Sequence, residues 1–177
     1  MYIRETTEAD LIDILYVEKS AFIRDAEVEL TRDLLVDPTA EPRLSLLAIV
    51  EDKPAGHILF TNGHLTNHPQ VKVSFLAPLA VVPKYQKRGI GGALIKKGIE
   101  KLSELNIDLV FVLGWPNYYP RFGFTPAGKL GFEAFCPIPE KDIDAWMVKE
   151  LRPNLIGSVS GKLIPCEALS KPEHWRE

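Results

Sequence analysis

The stretch Val81-Val82-Pro83-Lys84-Tyr85-Gln86-Lys87-Arg88-Gly89-Ile90-Gly91-Gly92-Ala93-Leu94 constrains the fold more than any other part of the chain. An apolar strand ends at Val82, a basic turn containing glycine follows, and a helix starts at about Ile90. That order aims several main-chain N–H groups at one point, with the positive end of the helix behind them. Such a place binds phosphate. Gly89 and Gly91 carry no Cβ, so a ligand can come close to the backbone. Lys87 and Arg88 add positive charge. The residues point to a pyrophosphate-bearing ligand held mostly by main chain.

Three phosphate loops compete for this stretch. The triphosphate loop G-x-x-x-x-G-K-[ST] occurs nowhere in the chain. The dinucleotide fingerprint G-x-G-x-x-G lacks its third glycine in Gly89-Ile90-Gly91-Gly92-Ala93-Leu94, and Asp108 stands before the next strand rather than after it. The acyl-CoA pattern Q/R-x-x-G-x-G/A is met at every specified position by Gln86-Lys87-Arg88-Gly89-Ile90-Gly91.

On these residues the chain resembles the GNAT superfamily of N-acetyltransferases, over roughly residues 1–150. Leu79-Ala80-Val81-x-Pro83 is similar to the family's fourth strand, and Tyr119-Pro120-Arg121-Phe122-Gly123-Phe124 fits its Y-x-x-x-G-F element. The run from Leu113 to Phe124 resembles a YhbS-like bacterial subgroup. The resemblance implies an α/β (α+β) fold. Its central sheet is mixed, mostly antiparallel, flanked by helices and splayed at the fourth strand. It also implies acetyl-CoA as co-substrate, no metal, and direct transfer of acetyl to a primary amine in a ternary complex. A non-catalytic acyl-CoA-binding or sensing module on the same fold is the alternative. A nucleotide-binding α/β domain is a remoter one. Homodimers are common among such proteins, and nothing in this sequence fixes an interface.

Site residues follow from the same resemblance. Leu79, Ala80 and Val81 would border the acetyl group and the pantetheine arm, with the Val81 N–H as the chief donor. Gln86, Lys87, Arg88, Gly89, Ile90, Gly91 and Gly92 would hold the pyrophosphate. Tyr119 is the expected general acid and Tyr118 its rival; an unperturbed tyrosine is protonated at neutral pH and can donate. Asn117 would bond the cofactor arm, although it stands closer to Tyr119 than the family's spacing has it. His57, His64, His68 and Glu18 are candidate bases by residue type alone, and water can serve instead. Trp115, Phe132, Phe135 and Trp146 are candidates to line an acceptor pocket, with core packing the commoner use of such residues. Cys136 has no activating partner in the sequence.

Bulk properties agree with this picture. A chain of 177 residues suits one domain. Here that is an acetyltransferase domain at 1–150 and a C-terminal extension, 151–177, packed on the same domain. Net charge is −3, yet residues 84–101 hold six Lys/Arg against Glu100, a local +5 that leaves −8 elsewhere. A basic patch on an acidic protein fits a small anion better than nucleic acid. Two cysteines, no apolar leader and no run of membrane length lead us to expect a cytoplasmic protein with no membrane partner.

Element by element, strands are expected at Tyr2–Glu5, Leu44–Val50, His57–Thr61, Val71–Val82, Asp108–Leu113, Gly123–Ala127, Asp144–Leu151 and an edge at Ser158–Pro165. Pro78 should force a bulge in the fourth. Helices are expected after Thr7, over Glu27–Val36 and from Ile90, the last with a buried stripe of Gly91, Leu94, Ile95, Gly98, Leu102 and Leu105. Asn62 to Gln70 reads as a loop, and Trp115 to Phe122 as a short helical or turn segment.

Overall fold

In the computed structural model, residues 1–175 are described. In chain order the elements are β1 (Tyr2–Glu5), α1 (Leu11–Ala21), α2 (Ala26–Val36), β2 (Leu44–Val50), β3 (Lys53–Leu65) and β4 (His68–Val81). Then come α3 (Ile90–Glu104), β5 (Leu109–Leu113), β6 (Thr125–Pro126), β7 (Phe132–Glu133), β8 (Trp146–Glu150) and β9 (Gly161–Pro165), with short 3-10 turns between them. The sheet order is β1-β2-β3-β4-β5-β8-β6, and β9 pairs with both β3 and β7. Along the main path β4–β5 is the parallel pair and every other pairing is antiparallel.

The splay expected at the fourth strand is present. β4 pairs with β5 only from Val73 to Leu76, opposite Leu109 to Val112. Beyond Leu76 it runs on to Val81 against β3 alone, while β5 stays with β8 as far as the Leu113–Trp146 pair. The register supplies a physical reason. Ile58 faces Leu79 and Phe60 faces Leu76, so Ala77 and Pro78 together oppose Leu59. This is a bulge at a proline, which brings no N–H to a ladder.

Helix α3 closes over the sheet face that carries Leu46, Ile58 and Phe60. Its Leu94, Ile95 and Leu102 are buried there, and Gly98 lets the Phe60 ring lie against the helix backbone. On the opposite face Phe111 stacks on Trp146 at 5.1 Å, and Trp175 packs on Phe75 at 5.3 Å. The segment after Glu150 thus completes this second cluster.

Several expectations need correction, among them the edge strand expected at Ser158–Pro165, which starts only at Gly161. Asn62–Gln70 is not a loop: β3 continues to Leu65 and β4 begins at His68, with the turn made at Thr66 and Asn67, φ +67°. The extension persists because β9 pairs with Gly63–Leu65. Leu105 is half-exposed at the C-cap of α3 and does not continue its stripe. The late strand at Gly123–Ala127 shrinks to Thr125–Pro126, because Gly123 (φ +90°) ends the preceding 3-10 turn. Asp144 and Ala145 belong to another 3-10 turn, so β8 starts at Trp146.

Candidate active site

The turn after β4 is built around Gln86. Its side-chain Nε2 donates to the Val81 carbonyl oxygen at 3.0 Å, which folds the loop back on the strand end. Lys87 then takes φ +64° and Gly89 φ +80°, which reverses the chain into α3. Gly89 is the N-cap and has no side chain to cap with. Among the described residues the N–H groups of Gly89, Ile90, Gly91 and Gly92 find no protein acceptor. Four donors at a helix N-terminus therefore stand together at one end of a cleft.

The other end of the cleft is the open edge of β4. Val82 N–H donates to Ala55 O at 2.9 Å, and antiparallel alternation then turns Ala80 toward His57 of β3. The main-chain groups of Leu79 and Val81 point the opposite way, into the splay. Opposite them lies the aromatic segment after β5. Tyr119 is 8% exposed and packs edge-on against Tyr118 and Phe124, with its ring close to Gly114. Tyr118 reaches across to α3: a Cβ on Gly91 would stand 2.5 Å from its hydroxyl oxygen. The Arg121 guanidinium lies 4.5 Å above the Tyr118 ring. Burial pushes the Tyr118 phenol above its ordinary range, against the pull of Arg121.

The cleft has a volume of about 700 Å³, within the usual range for small-molecule sites. Leu79, Val81, Gln86, Lys87, Gly89, Ile90, Gly91, Gly92 and Tyr119 of the expected set line it. Ala80 is buried on the other side of the strand, Arg88 lies on the surface over the Tyr85 ring, and Asn117 is exposed in the turn; none of the three is on the cleft wall. Tyr85, Arg121 and Phe122 line the cleft without having been picked out from the sequence. Arg121 and Phe122 lie inside the Y-x-x-x-G-F element, which could have flagged them.

The other candidates separate widely. Trp115 stands exposed at the cleft, whereas Phe132 and Trp146 are buried in the second cluster and Phe135 packs on Trp175 there. His64 and His68 sit at the far end of the β3–β4 hairpin. Glu18 and His57 are fully buried and bonded to each other, 2.6 Å from Oε1 to Nδ1. Cys136 is half-buried and unpaired with the other cysteine. Among the described residues no cluster of three or more His, Cys, Asp or Glu could hold a metal ion, and no helix is long and apolar enough to cross a membrane.

A donor-lined helix start, a splayed β4 and a tyrosine before Gly-Phe occur together here, and a sequence model of the GNAT acetyltransferase family matches residues 9–124. The chain belongs to the GNAT acetyltransferase family. It is 47% identical over 148 residues to the N-acetyltransferase YjhQ of Escherichia coli K12, covering 82% of each chain. It is 30% identical over 162 residues to the E. coli N-acetyltransferase YhbS, covering 91% of this chain and 93% of that one. The crystal structure of E. coli YhbS in complex with CoA superimposes with a TM-score of 0.87 over 96% of this chain and 92% of that one, at 27% identity. A Brucella melitensis GNAT-family acetyltransferase solved with acetyl-CoA shares the fold, with a TM-score of 0.75 at 24% identity, over 95% and 97% of the two chains. The chain is thus a GNAT-family N-acetyltransferase with bacterial relatives.

Proposed function

We propose that this GNAT protein transfers acetyl from acetyl-CoA directly to a primary amine within a ternary complex. The observation that carries the reading is the cleft itself. Four unpartnered helix-start N–H groups face its one end and the open edge of β4 faces the other. The structural likeness to YhbS, whose crystal structure holds CoA, supports the donor.

The residues divide the work in a definite way. Gly89 to Gly92 bind the pyrophosphate through main-chain N–H groups and the helix dipole, with Lys87 and Arg88 supplying charge. Leu79 and Val81 take the pantetheine arm along the open edge of β4, while Ala80 and Asn117, which stand off the cleft wall, take no direct part. A main-chain N–H of β4 faces the thioester oxygen as negative charge develops. The neutral amine attacks the carbonyl carbon, the C–S bond breaks, Tyr119 gives its proton to the departing thiolate, and the proton lost by the acylated nitrogen leaves through water and restores the phenol. Juxtaposing the two reactants supplies much of the rate.

Thermal melting with CoA, acetyl-CoA, NAD and ATP side by side tests the donor. A ligand at about 100 times its Kd stabilises by ~2.7 kcal/mol. A shift with CoA species and none with NAD or ATP is expected; no shift with any CoA species would sink the reading. Tyr119→Phe should then lower kcat about 100-fold and leave the CoA-induced melting shift in place. A variant that keeps full turnover would remove Tyr119 from the mechanism.

A further inference from the structure

The buried Glu18–His57 pair continues to a third residue. His57 Nδ1 lies 2.6 Å from Glu18 Oε1, and His57 Nε2 lies 2.9 Å from the Ser45 hydroxyl. With Glu18 ionised and so accepting only, Nδ1 carries a proton toward it and Nε2 offers its lone pair to the Ser45 O–H. Glu18 and His57 are both 0% exposed. Ser45 is half-buried and stands on the wall of a second cavity of about 550 Å³, between α1, the end of α2 and the start of β2. Neither Glu18 nor His57 lines the cofactor cleft, so the line of hydrogen bonds opens into this second cavity and nowhere else among the cavities described.

A purely structural role accounts poorly for this arrangement. A buried carboxylate–imidazole pair costs more than well-packed apolar side chains of the same volume. Here the second carboxylate oxygen, Glu18 Oε2, is buried without a hydrogen-bond partner among the described residues.

We propose that Ser45, His57 and Glu18 form a nucleophile–base–carboxylate relay, and that the cavity beside Ser45 takes the acyl part of a small neutral or cationic ester. In this step Ser45 Oγ attacks the ester carbonyl carbon while its proton passes to His57 Nε2, and Glu18 stabilises the imidazolium. The ester C–O bond breaks, the leaving alcohol takes the proton from His57, and an acyl-Ser45 ester remains. Water, deprotonated by His57, then releases the acid and restores the serine. Glu8, also on the wall, has a main-chain N–H with no acceptor among the described residues, a donor of the kind an oxyanion needs. The cavity chooses the substrate class: Leu11, Ile14, Leu35 and Leu44 give it apolar walls, Arg43 is paired with Glu41 and Glu5 with Lys101, and Glu8, in no ion pair among the described residues, leaves the rim acidic. That rim disfavours anionic esters, acyl-CoA among them. The activity stands apart from the cofactor cleft and does not rest on the transferase reading.

The test is covalent labelling of the full-length protein with an uncharged alkyl fluorophosphonate, with peptide mapping by mass spectrometry, alongside turnover of p-nitrophenyl butyrate. A phosphonyl adduct on Ser45 is expected. Ser45→Ala should lose both the adduct and at least about 100-fold of the ester turnover, while keeping the CoA-induced melting shift of the parent protein. His57→Gln, if it folds, should slow labelling by a similar factor. Absence of an adduct on Ser45 in the folded parent protein, or ester turnover unchanged by Ser45→Ala, would overturn the proposal. Because the labelling readout needs no CoA, it stands whether or not the melting test of the donor succeeds.

Discussion

Tyr118 and Gly91 share a contact that one methyl group would break. A Cβ on Gly91 would stand 2.5 Å from the Tyr118 hydroxyl oxygen but 3.7 Å from its ring carbon Cζ. Gly91→Ala should therefore push Tyr118 into the cleft and cost about 1–3 kcal/mol as overpacking, with a matching loss in CoA affinity. Tyr118→Phe removes the offending oxygen, so the double variant should recover most of both. A double variant no better than Gly91→Ala, by melting and CoA titration, would mean that the glycine serves only the ligand. A second residue-scale device is Asp10. Arg4 donates to both its oxygens at 2.8 Å and the Thr7 N–H donates at 2.7 Å, which together hold its pKa at about 2. A carboxyl with a depressed folded pKa contributes stability above its unfolded value near 3.8, and that contribution fades as pH falls toward 2. Arg4 is partly exposed, so screening trims the effect to about 1–2 kcal/mol. Asp10→Asn should lower stability by that amount at pH 7 and by almost nothing at pH 2, as read by urea unfolding at the two pH values.

At the scale of elements, the approach of α3 to β3 rests on Gly98. A Cβ there would run into the ring of Phe60, which is itself fully buried. Gly98→Val should lift the helix from the sheet and cost about 3 kcal/mol, and because Gly89 to Gly92 open the same helix, CoA binding should weaken with it. Phe60→Leu in the same chain should restore part of both; melting curves with and without CoA would show it. The stripe Gly91, Leu94, Ile95, Gly98 and Leu102 made this helix readable from the sequence, since a strong 3.6-residue period over a buried face is hard to mistake. The loop before it was equally readable, because its glycine spacing answers to a geometric need. The extension of β3 past Thr61 was not. Asn62, Gly63 and His64 look like loop residues locally, and they are strand because Asn62 and Gly63 pair with β4 and β9, about 100 residues further on, pairs with Gly63 to Leu65. The path from Glu18 to His57 to Ser45 was illegible for the same reason: three elements separated in sequence bring the groups together, and no local spacing announces it.

At the scale of the whole molecule, the segment after Glu150 is tied to the core through Trp175. Its ring is 1% exposed and lies 5.3 Å from Phe75, 5.7 Å from Trp146 and 6.0 Å from Phe135, with Nε1 donating to the Leu169 carbonyl at 2.8 Å. Phe75 belongs to β4 just before the bulge, so the tail braces that strand from the face opposite α3. Trp175→Ala should leave a large void among aromatic rings and cost about 3–5 kcal/mol, a fall of about 10 °C in Tm for a chain of this size. Trp175→Phe keeps most of the apolar surface and loses the hydrogen bond, leaving the Leu169 carbonyl unpaired, so its cost should be nearer 1–2 kcal/mol. The cleft lies at the other end of β4, beyond Pro78, where the strand is held by β3 and by Gln86. The CoA-induced melting shift should therefore survive in both variants. Equal loss of melting temperature and of that shift in Trp175→Ala would instead mean that bracing at Phe75 is transmitted through the bulge to Leu79 and Val81.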